Sequence, residues 1–282
     1  MAGEMVDALF SGTNPPNLIT GFARPLPLAV ICELLGLPAE DRTKFSTWAE
    51  KITTVNGVLS FLFAIHRLRP LTQYLEQEIG RVRETRKSGL ISDLVWMQSD
   101  ANKLSDDELL AMVFLLLLAG HETTTHLVSG GVHTLLRHQE QLAMLKDDWG
   151  HLDLAVEEIL RFVSPVQSTK PRFVRENCEV SGVKLTKGDI VMPLLVASNF
   201  DPEIFEAPER FDITRKPNRH IEFGTGIHFC LGHQLARLEL RSALQTLFTI
   251  YPQLKLAIPE DEIRWNERFG IRSMQALPVL PE

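Results

Sequence analysis

The ten residues from Phe223 to Gly232, FGTGIHFCLG, restrict what this chain can fold into more than any other stretch. Gly224, Gly226 and Gly232 surround a single cysteine, Cys230, and a helical pattern follows at once, over about 231–250. Glycine admits positive φ and lets the backbone come close to a flat ligand. Amides near a helix N-terminus can donate to a thiolate, and the helix dipole lowers the thiol's pKa. The loop is therefore expected to hold sulfur as an anion, ready to act as a nucleophile or a metal ligand.

The surroundings narrow that choice. A zinc site would want more cysteines or histidines at short spacing, and only His228 and His233 are near. One thiolate on one metal suits haem iron. The bland alternative, an inert cysteine behind a glycine turn, would win for a lone cysteine, but other motifs weigh against it here. The remaining cysteines, Cys32 and Cys178, lie far away, and the odd total implies no disulfide framework and a reducing compartment.

Length and composition fit one large domain or two modest ones, with 282 residues of which 44% are hydrophobic. A net charge of −7, from 36 acidic and 29 basic residues without a strong basic run, argues against nucleic acid. The longest apolar run, Leu109 to Ala119, falls short of the ~20 residues of a membrane helix and reads as a buried core helix. MAGEMVDALF has no signal-peptide pattern. The expectation is a soluble, cytoplasmic protein without a membrane contact.

Along the chain the pattern is mainly helix with a minor, late sheet component. Residues 25–38 carry apolar positions at helical spacing and stop at Gly36 and Pro38. Amphipathic stretches follow at 39–56 and 64–88, the latter with a charged, solvated face. A long helix is predicted from Ser105 to about His138, opened by a Ser105–Glu108 capping box. Because it is almost wholly apolar to Leu118, it should lie in the middle of the molecule. Another helix covers about 151–163. Residues 171–198 suggest short strands joined by glycine turns, and 199–230 an ordered loop.

Two further constellations carry chemistry. Glu158 and Arg161 stand three apart on one helix face, a spacing that usually gives only a solvated pair worth under ~1 kcal/mol. In Ala119-Gly120-His121-Glu122-Thr123-Thr124-Thr125, an apolar helix is interrupted by a glycine, an acid and three hydroxyls. Threonine hydroxyls can bond back to a carbonyl four residues earlier and bend the helix, and Gly120 removes bulk so that a ligand can approach. The bland reading is a polar patch. HETTTH falls short of the zinc-protease spacing, because His121 and His126 are five apart and do not share a face. His121 either lines a pocket or packs; the sequence does not choose.

With these residues in view, the chain resembles the soluble bacterial cytochrome P-450 family over nearly its whole length. The family's F-x-x-G-x-x-x-C-x-G loop is matched by Phe223, Gly226, Cys230 and Gly232, and its small-Gly-x-acid-Thr motif by Ala119, Gly120, Glu122 and Thr123. The resemblance implies heme b (iron protoporphyrin IX) as cofactor, with Cys230 as the iron ligand. It implies that Phe223, Gly224, Gly232, Ala119 and Gly120 contact the haem and that His228 and Arg172 hold its propionates. Thr123 and Glu122 would manage protons at the oxygen side. Glu158, Arg161 and Arg210, from Ala207-Pro208-Glu209-Arg210-Phe211, would interlock behind the cysteine loop. His220 is as easily structural as a ligand contact, Arg175 reads as surface, and Val163, Val166 and Leu195 line the substrate pocket or belong to the core. Arg237 and Arg241, four apart on the last helix, form either a docking patch for an acidic electron donor or a solvated face.

The family normally has more sequence before this point, so the chain is expected to lack the early helices and to be a single P-450 domain over 1–282. Its helical part would be about 1–165, its strand- and loop-rich part 166–232 and its final helix and C-terminal segment 231–282. The implied activity is a monooxygenase placing one atom of O2 into a small apolar organic substrate. Electrons would come from NAD(P)H through a reductase and a ferredoxin-type donor. The alternatives are a peroxygenase using H2O2, against which the Glu122–Thr123 pair argues, and a non-catalytic haem-binding remnant.

Overall fold

The computed structural model describes residues 1–12, 15–53, 58–97 and 104–282, without the side chains of residues 46, 49–53 and 58–67. The helices are α1 (Ala2–Leu9), α2 (Pro25–Leu35), α3 (Arg42–Thr53), α4 (Val58–Glu84), α5 (Leu90–Met97), α6 (Asp106–Arg137), α7 (Gln139–Asp147), α8 (Leu152–Val163), α9 (Leu195–Asn199) and α10 (His233–Ile250). The strands are β1 (Arg172–Phe173), β2 (Cys178–Val180), β3 (Val183–Leu185), β4 (Ile190–Val191), β5 (Lys255–Leu256) and β6 (Val279–Leu280). They form three antiparallel pairs, β1 with β4, β2 with β3 and β5 with β6. The class is mainly α with a small β component, as the sequence predicts. The chain packs as two compact units, one of Phe22–Thr125 with Met1, the other of Ala2–Gly21 and His126–Glu282.

In the first unit, α2 ends where Gly36 takes φ 79° and returns its N–H to Cys32 and Glu33 carbonyls, the expected left-handed cap. α6 starts at the predicted capping box: the Ser105 amide and hydroxyl each donate to Glu108 Oε2 at 2.8 Å, and the Glu108 amide donates to the Ser105 hydroxyl at 3.3 Å. The apolar beginning of α6 is not buried all round. Leu109, Val113 and Leu117, at a spacing of four, enter a core with Leu35, Leu71 and Leu75, whereas Leu115 is 64% exposed. That is one stripe of a 3.6-residue helix, not a helix enclosed on every side. By length and composition α6 would also reach across a bilayer, but its run contains buried His121, Thr124, Thr125, Ser129, His133 and Thr134.

In the second unit, Gly130 and Gly131 of α6 let α8 come close. A methyl at Gly130 would sit 2.4 Å from Val163 Cγ1, and one at Gly131 would sit 3.0 Å from Ile159 Cγ2. α10 packs on α8 and on α1. The Asn17 side chain ties Ile19 and Leu277 amides together, each at 3.0 Å, which holds the C-terminal segment beside the N-terminal one. β2 and β3 form a hairpin whose turn residues Ser181 and Gly182 both have positive φ, 49° and 81°, the geometry that matches strand twist.

Candidate functional site

The cysteine loop owes its course to its glycines. Gly224 and Gly226 have φ of 72° and 70°, a region costly for other residues. The Cys230 amide donates to the Phe223 carbonyl at 2.9 Å and the Phe229 amide to Gly226 at 3.0 Å, so the stretch folds back on itself before α10. Beyond Gly226 and Gly232 there is open space to 4 Å, and Ile227 and Leu231 are 97% and 84% exposed. Open space at two glycines and exposed apolar side chains beside one half-buried thiol suit a flat apolar ligand with a single metal bond. Among the described residues no three His, Cys, Asp or Glu side chains gather to hold an ion by themselves.

The charge state of the sulfur is a balance. Burial pushes the Cys230 thiol above its ordinary range, while the Gly232 amide and the Arg237 charge pull it down. Burial wins, contrary to the expectation that backbone and dipole alone make it an anion, because the cost of enclosing the charge exceeds what one amide and one guanidinium return. A bound cation such as a metal would supply the missing stabilisation.

On α8, Glu158 and Arg161 are fully buried and joined by two bonds of 2.8 Å. Arg161 also donates to the Asn199 and Pro208 carbonyls at 2.9 Å, surrounded by the Phe162, Phe200 and Phe205 rings. The third arginine is not the expected Arg210. Its side chain is 70% exposed and approaches only Asp212, at 3.9 Å; what Arg210 contributes is its carbonyl, which accepts from Arg161 at 3.2 Å. Arg215 takes the place instead, with Nε 3.2 and 3.1 Å from the two Glu158 oxygens, and Asn218 adds a bond of 3.0 Å. The Arg210 side chain leaves on the solvent side of its turn. The chain then carries Arg215 back inward, over Glu206, Ala207 and Arg210 carbonyls that it also bonds.

On α6 the helix runs unbroken through the hydroxyl motif. Thr123, Thr124 and Thr125 each bond back four residues, to Ala119, Gly120 and His121 carbonyls at 3.0, 3.4 and 2.8 Å. Thr123 and Glu122 are half-buried and Ala119 is exposed. Gly120 has a packing role that differs from the expected one. A methyl there would stand 3.1 Å from Ile31 Cδ1 of α2, so the bulk it spares is a neighbouring side chain's. His121 is buried, its Nδ1 2.8 Å from the Leu117 carbonyl, which fits packing.

The remaining expectations separate. The Arg172 and His228 side chains are exposed, with no hydrogen bond or ion pair among the described residues, and so remain available to an anion. Arg175 is exposed as well. Val163 and Leu195 are buried, and Val166 is half-buried beside Ile271. His220 is structural, 3.0 Å from Glu157. Arg237 and Arg241 are not a free docking patch. Arg237 grips Glu157 at 2.6 and 2.8 Å and lies 4.5 Å over the Phe223 ring, and Arg241 pairs with Asp153. Both stitch α10 to α8. Sequence reasoning missed Arg215, Asn218, Glu157, Asn199 and Glu222. Only the run of polar residues ahead of Phe223 hinted at the first two.

Comparison with known proteins identifies the family and the fold. A family model described as Cytochrome P450 matches residues 64–253. The chain is 38% identical over 280 residues to a Bacillus subtilis (strain 168) protein named cytochrome P450, covering 98% of this chain and 68% of that one. It is 41% identical over 280 residues to the vitamin D(3) 25-hydroxylase of Pseudonocardia autotrophica, covering 98% and 69%. Among solved structures, a myxobacterial cytochrome P450 in complex with myristic acid matches with a TM-score of 0.92 and 40% identity, covering 100% of this chain and 70% of the other. The bacillaene polyketide synthase cytochrome P450 PksS of Bacillus subtilis 168 matches with a TM-score of 0.90 and 37% identity, covering 99% and 72%.

Proposed function

The chain belongs to the cytochrome P450 family, and on that premise we propose that Cys230 is the thiolate that binds the iron of its haem b. It is a P450 monooxygenase, with relatives named as hydroxylases and monooxygenases. The observation that carries the ligand assignment is the open, glycine-bent loop around one half-buried sulfur, where the Gly232 amide and the Arg237 charge partly offset the burial that disfavours the anion.

Haem b supplies the oxygen-activating iron, and the chain's own residues do the rest. Gly226 and Gly232 leave open space, Gly224 bends the backbone, and Phe223, fixed under Arg237, backs the loop. Arg172 and His228 would hold the propionates, as an exposed cation and imidazole suited to carboxylates. Thr123 and Glu122 would hold and pass protons on the oxygen side, with Ala119 and Gly120 beside them. Glu158, Arg161 and Arg215, joined to one another, would fix from behind the segment that leads into the loop.

We assign the reaction as insertion of one atom of O2 into an apolar organic substrate. Electrons would come from NAD(P)H by way of a reductase and a ferredoxin-type donor, in the cytoplasm, with residues 1–282 acting as one domain. Relatives named for vitamin D(3), 6-deoxyerythronolide B and pentalenic acid support an apolar substrate. The test is the reduced, CO-bound absorption spectrum of wild type and Cys230→Ser. A red-shifted Soret band in the wild type, lost in the variant, is expected. Unchanged pigment content and colour in the variant rejects the assignment. Turnover with ferredoxin, with peroxide and with neither separates monooxygenase, peroxygenase and haem-binding remnant.

A further inference from the structure

The residue that leads into the cysteine loop is a carboxylic acid held among neutral partners. Glu222 is 7% exposed. Its Oε1 accepts from the Val166 amide at 3.1 Å and its Oε2 from Asn199 Nδ2 at 3.3 Å, with the Ser164 hydroxyl alongside. Among the described residues no cationic side chain bonds it. The charged groups on the surrounding elements are otherwise engaged. Arg161 is matched by Glu158 on α8, His220 by Glu157, and Arg272, whose amide donates to the Pro165 carbonyl, lies over the Trp265 ring. An unpaired buried anion is costly, so the group avoids ionising. Burial outweighs the bonds from Val166, Ser164 and Asn199 and pushes the carboxyl up to about 8.

The partners of Glu222 are what give it leverage. Asn199, itself fully buried, accepts the Ile221 amide at 2.9 Å and donates to the Ser164 hydroxyl at 2.8 Å. Ser164 caps α8 in the left-handed region at φ 40° and donates to the Arg161 carbonyl at 2.9 Å. The next residue along, Phe223, offers the carbonyl that receives the Cys230 amide. One side chain thus joins the end of α8, the segment leading to β1 and the base of the loop.

We propose that Glu222 is a positioning residue for Cys230, clamping the base of the cysteine loop as a neutral acid and loosening it when ionised. In the neutral form one oxygen donates, with Ser164 as the acceptor beside it, while the other still accepts. In the ionised form that donor is gone and an uncompensated charge takes its place. The proposal rests on Cys230 being the iron ligand, and the test separates the two.

The haem-loaded wild type, Glu222→Gln and Glu222→Val are followed by their reduced, CO-bound spectra from acid to alkaline pH. Wild type is expected to lose the red-shifted band as pH rises through the region of 8. Glu222→Gln, which keeps a donor and an acceptor but cannot ionise, is expected to hold it at least about one pH unit further. Glu222→Val is expected to lose part of the band at every pH. Thermal melting of the same chains without haem reads Glu222 independently of the iron. Relative to Glu222→Gln, wild-type stability should fall from the unfolded value of 4.5 through about 8 and then level off, since the other titrating groups are common to both chains. Identical alkaline midpoints and melting profiles for wild type and Glu222→Gln would overturn the proposal, as would a Glu222→Val chain that behaves like the glutamine variant. A Cys230→Ser chain that keeps the red-shifted band would overturn the ligand assignment instead, and leave the haem-free melting profiles to decide Glu222.

Discussion

Arg215 Nε lies 3.1 Å from Glu158 Oε2, so a carboxylate with no solvent exposure is shared between two arginines far apart in sequence. Arg161 holds it from the same helix, and Arg215 holds it from the loop that leads to the cysteine. Arg215→Ala should therefore destabilise the chain by about 1.5–3 kcal/mol, the cost of a lost charged hydrogen bond, and weaken haem retention. Arg210→Ala should stay within about 0.5 kcal/mol and keep its haem, since only the backbone of Arg210 takes part. Glu158→Ala leaves Arg161 buried without its anion, at about 3–5 kcal/mol, and should lose haem instead of merely slowing turnover. Denaturant titration and haem content check all three. Equal effects of Arg210→Ala and Arg215→Ala would refute the assignment.

Acid should weaken the seam between α8 and α10. Burial alone would raise the carboxyl of Glu157, yet bonds from Arg237 and His220 bring it from 4.5 down to about 2. Its folded value is thus below its unfolded one, so it stabilises the chain fully above 4.5 and progressively less as pH falls toward about 2. Melting temperatures of wild type and Glu157→Gln between neutral and acid pH measure this. The glutamine variant should start lower and decline less over that range. Parallel curves would mean that Glu157 contributes no linked stability.

The contact between Gly130 and Val163 makes a steric prediction. A methyl at Gly130 would meet Val163 Cγ1 at 2.4 Å, and a β-branched valine has few rotamers with which to retreat. Gly130→Ala should cost about 1–3 kcal/mol despite alanine's better helix propensity. In a Val163→Ala background the same change should cost nothing or stabilise by up to ~1 kcal/mol. A double-mutant cycle by chemical denaturation supplies the coupling, and additive effects would show that the helices adjust freely.

What the sequence could determine was local. The bend at Gly224 and Gly226, the cap at Gly36 and the box at Ser105 and Glu108 each follow from steric or hydrogen-bonding rules that act over a few residues. The Glu158–Arg161 pair and the back-bonded threonines were legible because a helix repeats every 3.6 residues and puts such groups within reach. The family's motifs supplied the meaning of those local features. The tertiary structure alone decided which arginine completes the Glu158 site, that Ile31 fills the space beside Gly120, that Arg237 and Arg241 are engaged by α8, and that Glu222 has no counter-charge among the described residues. Each of those depends on where the irregular stretch between Asn199 and Phe223 runs, or on which helix face meets which. An irregular backbone has no period from which to read the direction of a side chain. The energy of a buried charge depends on every group around it, and only packing assembles those groups.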